Sequence, residues 1–161
     1  MININDVIAS VLELRSYQQR VNNIKVEYNA AELPEVNADY FRLQQVFLNI
    51  VINAEYFMIE DQQGGCLRIT TELEGNTARV TFADDGPGIP EENLGHLFDP
   101  FFTTKGVGKG TGLGLSICHG IVTGHGGEIY ARSVPGQGAT FVIELPLQTG
   151  SEKAAPTQKE E

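Results

Sequence analysis

The sequence predicts an α+β fold. It would be a two-layer α/β sandwich, with one mixed, mostly antiparallel sheet covered by helices on one face and a long lid-like loop beside it. Two observations carry that expectation. Helical and strand periodicities alternate in the order helix, strand, helix, two strands, loop, helix, two strands. The strands also fall mainly in pairs joined by short connections, which suits antiparallel neighbours.

Residues 5–22 space Val7, Ile8, Val11, Leu12 and Leu14 as a helix does, with Asn5 or Asp6 placed to cap it. The stretch from Arg15 to Arg20 is more polar. Residues 24–28 alternate as a strand, and residues 29–38, with Pro34, read as a loop. Asp39 then caps the strongest helix, residues 40–60. Its Leu43, Val46, Phe47, Ile50, Val51, Ala54, Phe57 and Met58 follow helical spacing. Residues 62–65 read as a turn. Strands over 66–73 and 77–83 flank Gly75 and Asn76, a hairpin signal. Residues 84–90 form a loop and 91–97 a short helix. The glycine-rich stretch 98–112 is long for a plain connection, and such loops are often lids. Leu113, Leu115, Ile117, Ile121 and Val122 mark a helix over 113–123. Strands over 127–134 and 139–147 follow, joined by Pro135-Gly136-Gln137-Gly138. Residues 148–161 are polar and read as a disordered tail, which leaves 1–147 as one domain.

The 161 residues are 41% hydrophobic, enough for a core. Eleven basic against 21 acidic residues give a formal charge of −10, which excludes a non-specific nucleic-acid surface but not a nucleotide site. Cys66 and Cys118 are too few for a disulfide framework and read as free thiols in a reducing cytosol. No apolar run approaches membrane-spanning length, and the first residues lack signal-peptide character. The chain reads as soluble and cytoplasmic, and as a candidate piece of something larger.

Gln45, Asn49 and Asn53 recur every four residues and share one helix face. That face is either solvated or turned to a phosphate and metal site. An amide oxygen suits Mg²⁺, which takes oxygen ligands and keeps waters and phosphate oxygens. Asp84 ends an apolar strand and enters Gly86-Pro87-Gly88. It is either part of an ordinary turn or a carboxylate able to accept a hydrogen bond from a base amino group, where glycines let a ligand approach the backbone. Asp85 has no such argument and is expected to be exposed. The segment 103–115 imitates two phosphate motifs and fails both. A Walker loop needs Gly at position 103 and a hydroxyl after Lys109, where the chain has Thr103 and Gly110. A dinucleotide fingerprint needs a preceding strand and another final spacing. What remains is a glycine-rich loop running into a helix start whose N–H groups can bind phosphate, with Lys105 and Lys109 supplying charge.

Four ordered segments resemble the motifs of the sensor histidine kinases. Residues 49–54 (NIVINA) resemble the N box, 84–89 (DDGPGI) the first glycine box, 97–105 (LFDPFFTTK) the F box and 110–116 (GTGLGLS) the second glycine box. His125-Gly126-Gly127 and the ending Phe141–Pro146 match as well, so the likeness covers residues 1–147. It implies the Bergerat ATP-binding fold, with ATP and Mg²⁺ as ligands. Asn53 would ligate the metal, and Asn49 would support metal and phosphates. Asp84 would read the adenine amino group, with Gly86, Gly88 and Ile89 shaping the base pocket. Residues 98–112 would be the ATP lid. Phe98, Thr103, Thr104, Lys105, Gly110, Thr111, Gly112, Leu113, Gly114 and Leu115 would complete the nucleotide contacts. Asn49, Lys105 and Lys109 would be the catalytic groups.

Hydrolytic relatives of this fold have Glu as general base where this chain has Asn49. An amide cannot take the proton, so transfer to an imidazole is favoured over hydrolysis by water. Two positions depart from the family pattern: Tyr56 replaces a usual basic residue, and position 139 is Ala, with Thr140 as a substitute hydroxyl. None of His96, His119 and His125 has the context of a phosphoacceptor. The resemblance therefore implies a catalytic domain whose acceptor His lies on a dimerisation hairpin of the same protein, with a response regulator downstream and residues 1–22 as the linker helix from that hairpin. A nucleotide-binding module without transfer, and a serine kinase of the anti-sigma-factor type, share the same motifs.

Overall fold

The computed structural model describes residues 1–102 and 113–147. Among them lie α1 (Ile4–Val21), β1 (Ile24–Asn29), α2 (Tyr40–Gln62), β2 (Gly65–Glu74), β3 (Thr77–Asp84), α3 (Glu91–Leu94), α4 (Gly114–Gly124), β4 (Glu128–Ser133) and β5 (Ala139–Pro146). The strands form one sheet in the order β1-β2-β3-β5-β4. β1 runs parallel to β2, and the other pairings are antiparallel. α2 supplies the crossover that a parallel pair requires. The mixed, mostly antiparallel sheet is the one expected.

Strand side chains alternate between faces. Leu67 and Ile69 of β2, Ala78, Val80 and Phe82 of β3, and Phe141, Ile143 and Leu145 of β5 are buried in one core. Ile4, Val7, Ile8 and Val11 of α1, Leu43, Val46, Phe47 and Ile50 of α2, and Cys118, Ile121 and Val122 of α4 complete it. Phe47 packs on Phe82 with ring centroids 5.7 Å apart. The alternate positions carry charge: Arg79 pairs with Glu72, Glu74 and Glu144. The Tyr130 hydroxyl also donates to Glu144, and together with Arg79 it holds that carboxyl below the usual carboxylate range.

Several local expectations are corrected. α1 is capped by Asn3, whose side chain accepts the Asn5 N–H at 2.8 Å, and not by Asn5 or Asp6. Asn5 is occupied elsewhere, donating to the Ala31 carbonyl and accepting from the Tyr28 hydroxyl. Leu14 is exposed, because the buried stripe of α1 continues through Gln19 instead. The reason is Glu55, only 2% exposed on α2. Its carboxylate accepts from the Arg15 guanidinium and from Gln19 Nε2, so residues read as a polar run face a buried acid. α2 extends to Gln62 and closes on Gln63 in the left-handed region. α3 is a single turn, and the expected helix over 91–97 stops at Leu94. On α4, Cys118 is buried and Ile117 is exposed, because the inward stripe runs Cys118, Ile121, Val122. Both cysteines are free. Among the described residues no helix is long and apolar enough to cross a membrane.

Candidate nucleotide site

Asp84 is the last residue of β3, on the same side of the sheet as Phe82 and hence beneath α2. Its Oδ1 accepts two backbone N–H groups, from Gly86 at 2.9 Å and from Ala139 at 3.2 Å. Neither bond uses Oδ2, which can accept from a ligand. Burial pushes the Asp84 carboxyl above the usual carboxylate range, the two backbone donors oppose that, and the neighbouring Asp85 adds to it. A carboxylate short of water gains most from a donor such as an amino group of a base. Gly86 lies against α2, where a Cβ would come 3.5 Å from Met58 Cγ. Asp85 is exposed, as expected, yet it is not idle. Its Oδ1 accepts from the Cys66 N–H and from Gln62 Nε2, tying the loop to the start of β2 and the end of α2.

Of the polar stripe of α2, Asn49 faces α4. Asn49 Nδ2 contacts the Gly114 carbonyl at 3.5 Å and Cys118 Sγ at 3.7 Å. Asn49 Oδ1 is thereby left for a ligand. Asn53, one turn further along and half-buried, makes no side-chain hydrogen bond to a described residue. Gln45 is exposed. Burial pushes the Cys118 thiol up to about 11, offset in part by the Asn49 contact. α4 begins at Gly114 after Leu113 and has no side-chain cap hydrogen bond. The donor set offered to a cation is amide oxygen. No group of three His, Cys, Asp or Glu among the described residues could hold a metal. Asn53 with phosphate oxygens and water fits Mg²⁺, a hard cation that retains waters.

The structure thus brings Asn49 to Gly114 across the α2–α4 seam, with Asn53 one turn further along α2, and sets Asp84 at the end of β3 with Gly86, Gly88 and Ile89 on the loop that follows. Thr103, Thr104, Lys105, Lys109, Gly110, Thr111 and Gly112, with most of the expected lid, lie outside the described residues, as does the expected tail 148–161. Phe98 packs between His119 of α4 and Phe141 of β5, with ring centroids at 5.8 and 6.4 Å. Thr140 is not brought to the site. It stands between Ala139 and Phe141 in β5, so its side chain falls on the opposite face of the sheet from Asp84 and cannot replace a hydroxyl at position 139. His125 is a structural bridge: Nδ1 meets the Ile121 carbonyl at 2.9 Å, and Nε2 accepts the Asp39 N–H at 3.1 Å. His96 pairs with Asp99 on the surface. Sequence reasoning missed Ser133. Ser133 accepts the Ile89 N–H, and a serine at a strand end carries no signal of that contact.

Residues 38–149 match the family model described as histidine kinase-, DNA gyrase B-, and HSP90-like ATPase. The chain is 37% identical over 147 residues to the sensor histidine kinase ZraS of Escherichia coli K12, covering 91% of this chain and 30% of that protein. It therefore spans about a third of the length of the curated relatives it matches. Among solved structures, the nucleotide-free catalytic domain of histidine kinase ThkA aligns with a TM-score of 0.79 at 38% identity, over 91% of this chain and 93% of that one. Full-length ShkA in complex with AMPPNP aligns with a TM-score of 0.81 at 31% identity, over 97% of this chain and 32% of that one. The order of the motifs, the five-stranded sheet and these likenesses agree: the chain belongs to the histidine kinase-, DNA gyrase B- and HSP90-like ATPase family, as a Bergerat-fold catalytic domain of the sensor histidine kinase type.

Proposed function

We propose that this domain binds Mg-ATP and presents the γ-phosphate to a histidine on the dimerisation domain of its parent protein, from which a response regulator takes the phosphoryl group. Residues 1–147 form the catalytic unit in this reading, which works in the cytoplasm whether or not the parent is membrane-anchored. Asp84 Oδ2 accepts from the adenine amino group. Asn53, supported by Asn49, holds Mg²⁺, which when bound neutralises phosphate charge. Lys105, Lys109 and the glycines of 110–114 approach the phosphates from the lid. ShkA, a relative by fold and sequence, is known in complex with AMPPNP, which supports a nucleotide at this site.

The observation that carries the choice of phosphoryl transfer over hydrolysis is Asn49. It faces the first turn of α4 with an amide whose nitrogen is already engaged by Gly114 and Cys118. An amide there cannot activate water, whereas transfer to an imidazole depends on positioning and charge neutralisation. The test is calorimetric titration with Mg-ATP, followed by addition of the parent's helical hairpin with labelled ATP. Acid-labile label on the hairpin histidine is expected. Binding without transfer would favour a nucleotide-binding module, the reading that Tyr56 in a usually basic position supports. Acid-stable label would instead identify a serine kinase. Undetectable binding, with Asp84→Ala and Asn53→Ala indistinguishable from wild type, would refute the reading altogether.

A further inference from the structure

We infer that Ser133 is a positioning residue for base selection, acting through a single peptide unit that aligns Asp84. The assignment rests on the adenine reading of Asp84 proposed above. Ser133 ends β4, and its hydroxyl is used twice. It accepts the Ile89 N–H at 2.7 Å and donates to the Gly138 carbonyl at 2.9 Å. The peptide that carries the Gly138 carbonyl also carries the Ala139 N–H, and that N–H donates to Asp84 Oδ1 at 3.2 Å. In a trans peptide the C=O and N–H point in opposite directions. Holding the oxygen on Ser133 therefore aims the hydrogen at Asp84.

The surrounding backbone shows why a side chain is needed to set that peptide. The 134–138 turn and the 85–89 loop run in contact, and the Gly136 N–H donates to the Pro87 carbonyl at 2.7 Å. Gly138 has φ +87°, and a Cβ there would overlap the Asp84 carbonyl oxygen. Gly88 has φ +83°, and a Cβ would come within 2.9 Å of Ser133 Oγ. Close approach demands glycine at both places, and glycine leaves the backbone free to turn. The Ser133 hydroxyl removes that freedom from both strands of the contact at once. It holds the far end of the base loop at Ile89 and the peptide that orients Asp84.

Without the hydroxyl, the Gly138-Ala139 peptide can rotate and Asp84 loses one of its two fixed donors. The carboxylate then no longer presents a fixed Oδ2, and the preference for a 6-amino purine weakens more than binding in general. Ser133→Ala and the near-isosteric Ser133→Cys test this by titration with ATP and with inosine triphosphate, which has a 6-oxo group in place of the amine. The ratio of the two affinities is expected to fall at least about fivefold in both variants. Amide exchange at Ala139 is expected to quicken, while Ser133→Thr retains the ratio. Thermal unfolding of the nucleotide-free proteins establishes that each variant is folded. Equal loss of affinity for both nucleotides, or an unchanged ratio in both variants, overturns the assignment while leaving the adenine reading intact. A wild-type chain that binds the two alike, or binds neither, overturns the adenine reading and the assignment with it.

Discussion

The two sides of α2 are built on opposite terms. Toward α1 it buries Glu55 in a saturated cluster, with Arg15 and Gln19 filling both carboxylate oxygens. Toward α4 it shows Asn49, held only by contacts of 3.5 and 3.7 Å, and Asn53 without a side-chain hydrogen bond to a described residue. One seam satisfies its polar groups internally, at the ordering cost of long side chains. The other leaves acceptors for something not belonging to the chain. A helix that must hold ligand atoms still needs one face that does not yield, and the Glu55 seam provides it. Asp84 follows the logic of the second seam: one oxygen is fixed by the fold and the other is left over.

The largest effect is expected on the α1 side. Arg15→Met strands the Glu55 carboxylate and should cost about 3 kcal/mol of stability, read by urea unfolding. The triple variant Arg15→Met/Gln19→Leu/Glu55→Leu should recover most of that loss, because an apolar cluster carries no desolvation penalty and leaves no buried amide unpaired. ATP affinity of the folded fraction should hold in both. A neutral Arg15→Met would break the comparison.

Next comes Asp84→Asn, which should weaken ATP roughly 10- to 100-fold, as expected for a lost hydrogen bond to a charged group. Its Oδ1 can keep both backbone donors, but its NH₂ would face the adenine amine donor to donor. Stability should move the other way. Because burial raises the Asp84 carboxyl in the folded state, its contribution is full below its unfolded value and is lost as pH rises through the folded one. The wild type therefore pays for an ionised Asp84 at neutral pH. Asp84→Asn should be the more stable nucleotide-free protein at pH 7, and the difference should vanish in acid. A variant less stable at pH 7 than wild type would contradict this sign.

Asn53→Ala should lower Mg²⁺-dependent ATP affinity about tenfold while shifting unfolding by less than about 0.5 kcal/mol, as for a site with no buried partner. Equal loss with and without Mg²⁺ would remove Asn53 from the metal. The smallest signal is chemical. With the Cys118 thiol pushed up to about 11 and buried, a thiol reagent at pH 7.5 should label Cys66 alone. Slow labelling of Cys118 would report opening of the α2–α4 seam, and its rate with and without nucleotide would show whether a ligand closes it.

The readable parts of this molecule are those where residue type and spacing both constrain the answer. Strands, helix order and the hairpin at Gly75 follow from periodicity, and Asp84 stands out as a charge ending an apolar strand. Glu55 was illegible because its partners Arg15 and Gln19, forty and thirty-six residues away, look like solvent-facing polar residues until the helices are packed. Ser133 was illegible for a similar reason, since its partners lie across a turn and a loop. Thr140 is a different case. The alternation of Ala139, Phe141, Ile143 and Leu145 already places it on the other face, and the expectation that it could serve the site overlooked a parity visible in the sequence. The lysines and glycines of the lid remain expectations, since they lie outside the described residues.

The strand order leaves β1 and β4, six residues each, at the two margins of the sheet. An unpaired strand margin is a template for another chain, and charged side chains are a common guard against it. β1 carries Lys25 and Glu27, ion-paired with one another, and Glu27 also pairs with Arg68 of β2, while β4 carries Glu128 and Arg132. A domain held beside a second copy of itself meets that copy at high local concentration. In the reading proposed above, where a dimerisation domain holds two copies together, margins guarded in this way would keep the two domains from pairing into one continuous sheet.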